Sequence, residues 1–116
     1  MLSAAGMQVY LAVGATDMRK SINTLAMVVE AHMDLNPFSG HLFAFCNRRC
    51  DTVKVLYWDR NGFCLWQKRL EQDRFRWPKS EMEVLGLTQK QLAWLLDGLE
   101  ICPAGAHGEL RYAGVC

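Results

Sequence analysis

Between positions 52 and 70 two β-prone runs, Thr52–Trp58 and Phe63–Leu70, are separated only by Asp59-Arg60-Asn61-Gly62. Asn-Gly flanked by such runs is a strong hairpin signal, because both residues accept the positive φ that a tight turn between twisted strands requires. Whether the loop holds two residues or four, the pairing parity is the same, so alternation alone assigns the faces. One face takes Val53, Val55, Tyr57, Cys64, Trp66, Lys68 and Leu70. The other takes Thr52, Lys54, Leu56, Trp58, Phe63, Leu65, Gln67 and Arg69. Both faces are apolar near the turn and become basic at the opposite end, with Lys54, Lys68 and Arg69.

Other elements arrange themselves around this ribbon. Gln8–Val13 is a short β-prone run closed by Gly14. Thr16 or Asp17 is then placed to cap a helix in which Ile22, Leu25, Ala26, Val29 and Met33 form one apolar face. Asn36-Pro37-Phe38-Ser39-Gly40 stops it. Leu42–Cys46 reads as a strand leading into the hairpin, and Arg74–Trp77, closed by Pro78, as an edge strand. Thr88-Gln89-Lys90-Gln91 has the form of a capping box, followed by Leu92, Leu95, Leu96 and Leu99 on one helical face. The expected fold is α+β, a single domain over residues 1–102: an antiparallel β-meander of four to five strands with two helices packed against it. Residues 103–116, with three glycines, are expected to form a flexible tail.

Half of the 116 residues are hydrophobic (51%) and about a fifth charged (22%), a globular balance. Apolar stretches such as Leu25–Val29 fall far short of the roughly 20 residues a membrane span needs. Met1–Gly6 is too brief for the apolar core of a secretory signal. The expected location is the cytoplasm, without a membrane partner. Five cysteines at irregular spacing agree with a reducing compartment. Cys46 and Cys50, with His41 and Cys64, are the nearest approach to a zinc set, but no second closely spaced pair completes it.

The net charge of +1 conceals an asymmetry. Residues 48–79 carry nine bases against four acids, whereas the remaining residues carry four bases against eight acids. Arg48 and Arg49 fall in the turn before the hairpin, at the same end as Lys54, Lys68 and Arg69, and Arg74 follows the next turn. Charges scattered in sequence should therefore gather at one end of the sheet, the electrostatic footprint of a polyanion site. Trp77, beside Arg76, is a candidate stacking surface, and Trp94, off the leucine stripe, a candidate anchor for a protein partner.

Catalytic patterns are absent or incomplete. Gly14–Ser21 falls one residue from a phosphate-binding G-x-x-x-x-G-K-[ST] loop, but Arg19 replaces the required glycine and Asp17 adds a negative charge. Arg19 and Lys20 are expected in the first helical turn, where an anion would offset their unfavourable interaction with the macrodipole. Asp51 and Asp59 bracket one strand, roughly 20–27 Å apart, too far to share a metal cluster. Neither an enzyme activity nor a cofactor, metal or small-molecule substrate is expected.

Several ordered phrases resemble a known family. They run from Val9-Tyr10-Leu11-Ala12-Val13-Gly14-Ala15-Thr16-Asp17-Met18-Arg19-Lys20 through Pro37-Phe38-Ser39-Gly40-His41-Leu42-Phe43, Asn47-Arg48-Arg49 and Lys54-Val55-Leu56-Tyr57-Trp58-Asp59. They continue through Asn61-Gly62-Phe63, Lys68-Arg69-Leu70-Glu71 and Phe75-Arg76-Trp77-Pro78 to Gln91-Leu92-Ala93-Trp94-Leu95-Leu96-Asp97-Gly98-Leu99. The chain resembles the TnpB accessory proteins of the sixty-sixth numbered family of bacterial insertion sequences, which accompany a separate transposase. The resemblance implies an accessory role in DNA transposition, with the chemistry left to the transposase and no catalytic residue to carry over. Joined to the charge pattern, it leads to an expected DNA-binding factor. Arg48, Arg49, Lys54, Lys68, Arg69, Arg74 and Arg76 would supply the phosphate contacts, and Arg19 with Lys20 a second site. The alternative is a module that assembles or regulates the transposase through Trp94, Trp77 and the basic patch without touching DNA.

Overall fold

The computed structural model describes residues 6–101. The order of elements is β1 (Val9–Ala12), α1 (Ile22–Ala31), β2 (Leu42–Cys46), β3 (Thr52–Asp59), β4 (Gly62–Arg69), β5 (Val84–Leu87) and α2 (Gln89–Leu96). The expected tail lies outside the described residues.

The fold is α+β in one compact domain, with a mixed five-stranded sheet ordered β4-β3-β2-β1-β5. Strands β2, β3 and β4 form the expected antiparallel meander, while β1 pairs parallel to β2. A parallel neighbour needs a crossover, and α1 supplies it. The hairpin closes on a two-residue loop, Asp59 opposite Gly62, and its register runs without a bulge to Thr52 opposite Arg69. The faces are those that alternation assigns: Val53 and Val55 enter one core cluster with Tyr57 and Trp66 against it, and Leu56 enters the other with Phe63 and Leu65.

The helices pack on opposite faces, giving three layers. Leu25, Val29 and Met33 meet Phe43, Phe45 and Leu56 on one side. Leu92, Leu95 and Leu96 meet Leu42, Ala44, Val53 and Val55 on the other. Central β2 is consequently buried along its whole length.

Three details depart from expectation. Arg74–Trp77 is extended but joins no ladder, and the far edge of the sheet is β5, antiparallel to β1. The alternation of Arg74–Trp77 nevertheless has meaning, since Phe75 and Trp77 are buried while Arg74 and Arg76 face out. Helix α1 begins later than Thr16 or Asp17: Ser21 is its N-cap and accepts from the Thr24 amide. Asp17 instead closes its own turn, accepting from the Arg19 amide while its carbonyl accepts from the Lys20 amide. Arg19 and Lys20 thus precede the helix, and the macrodipole argument does not apply to them. Finally, α2 has the expected capping box but ends before Leu99, which is 54% exposed. Gly98, at φ 84°, takes the left-handed position, and the Gly98 and Leu99 amides return to the Leu95 and Trp94 carbonyls.

Candidate nucleic-acid interface

The Asn47 side chain is the hub of the turn between β2 and β3, beside backbone bonds from the Asn47 amide to the Thr52 carbonyl and from the Cys50 amide to the Asn47 carbonyl. The Asn47 Oδ1 accepts from the Asp51 and Thr52 amides at 3.1 and 3.2 Å, and its Nδ2 donates to Asp51 Oδ1 at 2.7 Å. The Thr52 hydroxyl donates to the same carboxylate oxygen. Hydrogen bonds from Asn47 first, then Thr52, hold the Asp51 carboxyl below the usual aspartate range. Cys50 occupies the left-handed region, at φ 60°. A turn fixed by its own polar groups leaves its two arginines outside: Arg48 and Arg49 are exposed and carry no ion pair among the described residues.

The next segment docks against this turn. The Cys50 carbonyl accepts from the Phe75 amide at 2.6 Å and the Asp51 carbonyl from the Leu70 amide at 2.8 Å. Trp77 Nε1 donates to the Ala12 carbonyl at 3.0 Å, so the indole is pinned to the sheet. Side chains that alternate inward and outward then bring Arg74 and Arg76 beside Arg48 and Arg49. Together with Lys79 these four arginines line an open hollow of about 720 Å³. Phe75, Trp77, Pro78, Cys50 and Ile101 give it an apolar base. Among the described residues Glu100 is its one acid, and it pairs with Arg76 at 3.1 Å.

Arg48 and Arg49 also border a second hollow, of about 830 Å³, shared with Asp17 and Arg19. Arg19 is paired with Asp17 at 2.7 Å. That contact depresses the Asp17 carboxyl and raises the Arg19 guanidinium, each through their mutual hydrogen bond first. The turn is therefore a basic ridge between two depressions. Both depressions are open to solvent, which suits an extended ligand backbone rather than an enclosed small molecule.

Not every sequence-predicted residue joins this ridge. Lys54 lies at the expected end of β3, but its ammonium is turned inward onto the Met18 carbonyl at 2.6 Å, with Lys20 O at 3.5 Å. Lys68 projects from the other face and caps the Leu96 carbonyl at 2.9 Å. No basic residue occupies the last turn of α2, so Lys68 supplies from the sheet the cation that a helix C-terminus favours. Arg69 pairs with Glu71 at 3.3 Å. Lys20 does not line either hollow. Trp77 is 9% exposed, so its ring is a floor rather than a protruding platform. Trp94 is half-buried under Lys90, whose ammonium lies 5.5 Å from the ring centroid. Lys79, by contrast, reaches the hollow although it is not among the expected phosphate contacts; its sequence signal is its place as the last of the nine bases in residues 48–79.

Among the described residues no three His, Cys, Asp or Glu side chains come together as a metal set. His41 Nδ1 accepts from the Gln8 amide, and burial pushes the Cys46 thiol well up, away from reactive thiolate. Among the described residues no helix is long and apolar enough to cross a membrane.

Comparison with known proteins supplies the context for this surface. A family model described as IS66 Orf2 like protein matches residues 7–105. The uncharacterized protein y4hO of Sinorhizobium fredii is 39% identical over 98 residues, 84% of this chain and 85% of the relative. The uncharacterized protein y4jC of the same organism is 30% identical over 95 residues, covering 82% and 81%. No solved structure matches the chain.

Proposed function

The chain belongs to the family of IS66 Orf2-like proteins, and from that premise we propose that it is a non-catalytic accessory factor in DNA transposition that grips the DNA backbone. The observation that carries this reading is the gathering of Arg48, Arg49, Arg74, Arg76 and Lys79 around one open hollow that holds a single acid among the described residues. Like charges brought together without counterions raise the local potential, and phosphate oxygens offset it. Such contacts set affinity and position without reading bases, so sequence choice would rest with the element's transposase.

The test is a salt-titrated binding assay with element-end DNA and unrelated DNA, each with and without the transposase. Binding should weaken steeply with salt and differ little between the two DNAs in the absence of transposase. Replacing Arg48 and Arg49 with alanine should preserve folding, because exposed charges contribute little stability. It should flatten the log–log salt slope by about 0.9 for each phosphate that is no longer neutralised. Absence of binding at low salt under every condition defeats the proposal. Co-purification with the transposase that survives nuclease and high salt, with Trp94 required, would instead favour the protein-interaction role.

A further inference from the structure

Strand β4 lies at one edge of the sheet, and among the described residues nothing pairs with its outer side. Which backbone groups point outward follows from the register. The Leu70 amide donates to Asp51, so residue 70 and the even-numbered residues of β4 direct their amides and carbonyls to β3. Phe63, Leu65, Gln67 and Arg69 therefore present theirs to solvent. Edge strands are ordinarily protected by shortness, a proline, a bulge or charges along their length. The other edge, β5, has only four residues. β4 has eight, with no proline and no bulge, and its charges are confined to Lys68 and Arg69 at the end.

Its open edge continues into an apolar corner. Phe38, Trp58 and Phe63 form an aromatic triad with centroids 5.0–5.2 Å apart, and Phe38 is 55% exposed. The triad stands at the hairpin tip, whereas the bases stand at the other end of the same strand.

We propose that β4 pairs antiparallel with β4 of a second copy of this chain, joining two five-stranded sheets into one of ten. The strand is complementary to itself in one register. With Trp66 on the two-fold axis, Phe63 faces Arg69 of the second copy and Leu65 faces Gln67 of the second copy, so all four outward residues meet outward residues. A two-residue shift either way leaves Phe63 or Arg69 without a partner. The same register holds the two Arg69 side chains about 20 Å apart at strand rise and sets each against the other copy's aromatic corner, where cation and ring attract. An unrelated extended segment would have to reproduce this charge-to-aromatic order, which a reversed copy possesses by symmetry. The basic ridges then lie at opposite ends of the joint sheet. Dimerisation through the strand edge does not depend on DNA binding by the ridge.

Sedimentation equilibrium of the full chain tests the association, and amide hydrogen exchange at low and high protein concentration locates it. Expected are a mass twice the chain's 13.2 kDa and concentration-dependent protection at Phe63, Leu65, Gln67 and Arg69, while Cys64, Trp66 and Lys68 are protected at every concentration. Gln67→Pro removes an outward amide without touching the β3 ladder and should yield a folded monomer. The Arg48→Ala, Arg49→Ala chain should still dimerise, which separates dimerisation from the DNA proposal. A monomer at all concentrations overturns it. A dimer in which those four amides exchange freely overturns it too, by placing the interface elsewhere; this readout needs no variant and so decides the matter even if Gln67→Pro fails to fold.

Discussion

The lysines inside the β3–β4 ladder and the arginines on the neighbouring turn arise from one basic stretch, yet the fold uses them in opposite ways. Lys54 and Lys68 reach off the two faces of the sheet and satisfy carbonyls at Met18 and Leu96, fastening the approach to α1 and the end of α2. Arg48, Arg49 and Arg74 form no ion pair among the described residues, because the turn beneath two of them is closed by Asn47 hydrogen bonds, and Arg49 acts on Asp51 only through its charge. A base beside a helix end becomes a structural clamp, whereas a base on a self-sufficient turn stays available for ligand.

The largest effect is expected from the floor under the arginines. Trp77 is nearly buried in the core and its indole donates to the Ala12 carbonyl. Trp77→Ala should cost roughly 3–5 kcal/mol, measured as a fall in denaturation midpoint, with Trp77→Phe losing about 1 kcal/mol for the missing hydrogen bond. A small loss for Trp77→Ala would mean that the arginines stand on a loosely attached loop, and the contrast with the clamped lysines would collapse.

Lys54→Ala comes next. It removes the charged donor to the Met18 carbonyl and should cost about 1.5–3 kcal/mol. Its DNA salt slope should remain close to that of the parent, the reverse of the Arg48/Arg49 double variant. Equal loss of DNA affinity in a folded Lys54→Ala chain would place the lysine in the binding surface and erase the division.

That division could not be read from the sequence, and the reason is physical. The partners of Lys54 and Lys68 are backbone carbonyls 36 and 28 residues away, set by where α1 is approached and where α2 stops. Local pattern sufficed where structure is local: parity gave the faces of β3 and β4, Leu25 and Val29 fell on the buried face of α1, and Thr88 with Gln91 capped α2, although the hairpin loop is Arg60-Asn61, with the positive φ at Arg60, rather than Asn61-Gly62. It failed for β5, where Gly86 interrupts a four-residue run that is a strand only because β1 lies beside it. Phe75 and Trp77 show the same limit, since alternation places their faces correctly but cannot say that the segment lacks a ladder. Likewise, Arg48, Arg49, Arg74 and Arg76 were legible as a cluster, whereas the paired state of Arg19 depended on how Asp17 folds back.

Asn47→Ala probes the self-sufficiency of the turn at a smaller scale. Two amides lose their acceptor, but in a partly exposed turn water replaces it, so about 1 kcal/mol is expected. The same change should raise the Asp51 carboxyl toward its ordinary value, observable by side-chain titration in NMR. Because that group is depressed in the folded chain, its stabilising contribution is present above the ordinary aspartate pKa and disappears as pH falls through the lowered folded value. The variant should therefore show a weaker acid-side loss from this group than the parent does. An unmoved Asp51 titration would show that the turn is not held by Asn47.

The smallest stability effect belongs to Glu100, and its effect on binding should have the opposite sign. Glu100 is the one acid lining the arginine hollow among the described residues, and its pair with Arg76 is exposed on both sides. Exposed pairs contribute little, so Glu100→Gln should shift stability by less than about 0.5 kcal/mol. Removing the carboxylate releases Arg76 and withdraws a negative charge that any phosphate backbone must approach. DNA affinity at low salt should therefore rise, and the salt slope should steepen by about 0.9 if the freed Arg76 neutralises one more phosphate. Under a purely structural use of the arginines, Arg76 would simply lose its partner and no gain would appear. Increased affinity with unchanged folding would thus mark the hollow as a surface whose bases await an anion, whereas unchanged affinity in the folded variant would remove Arg76 from it.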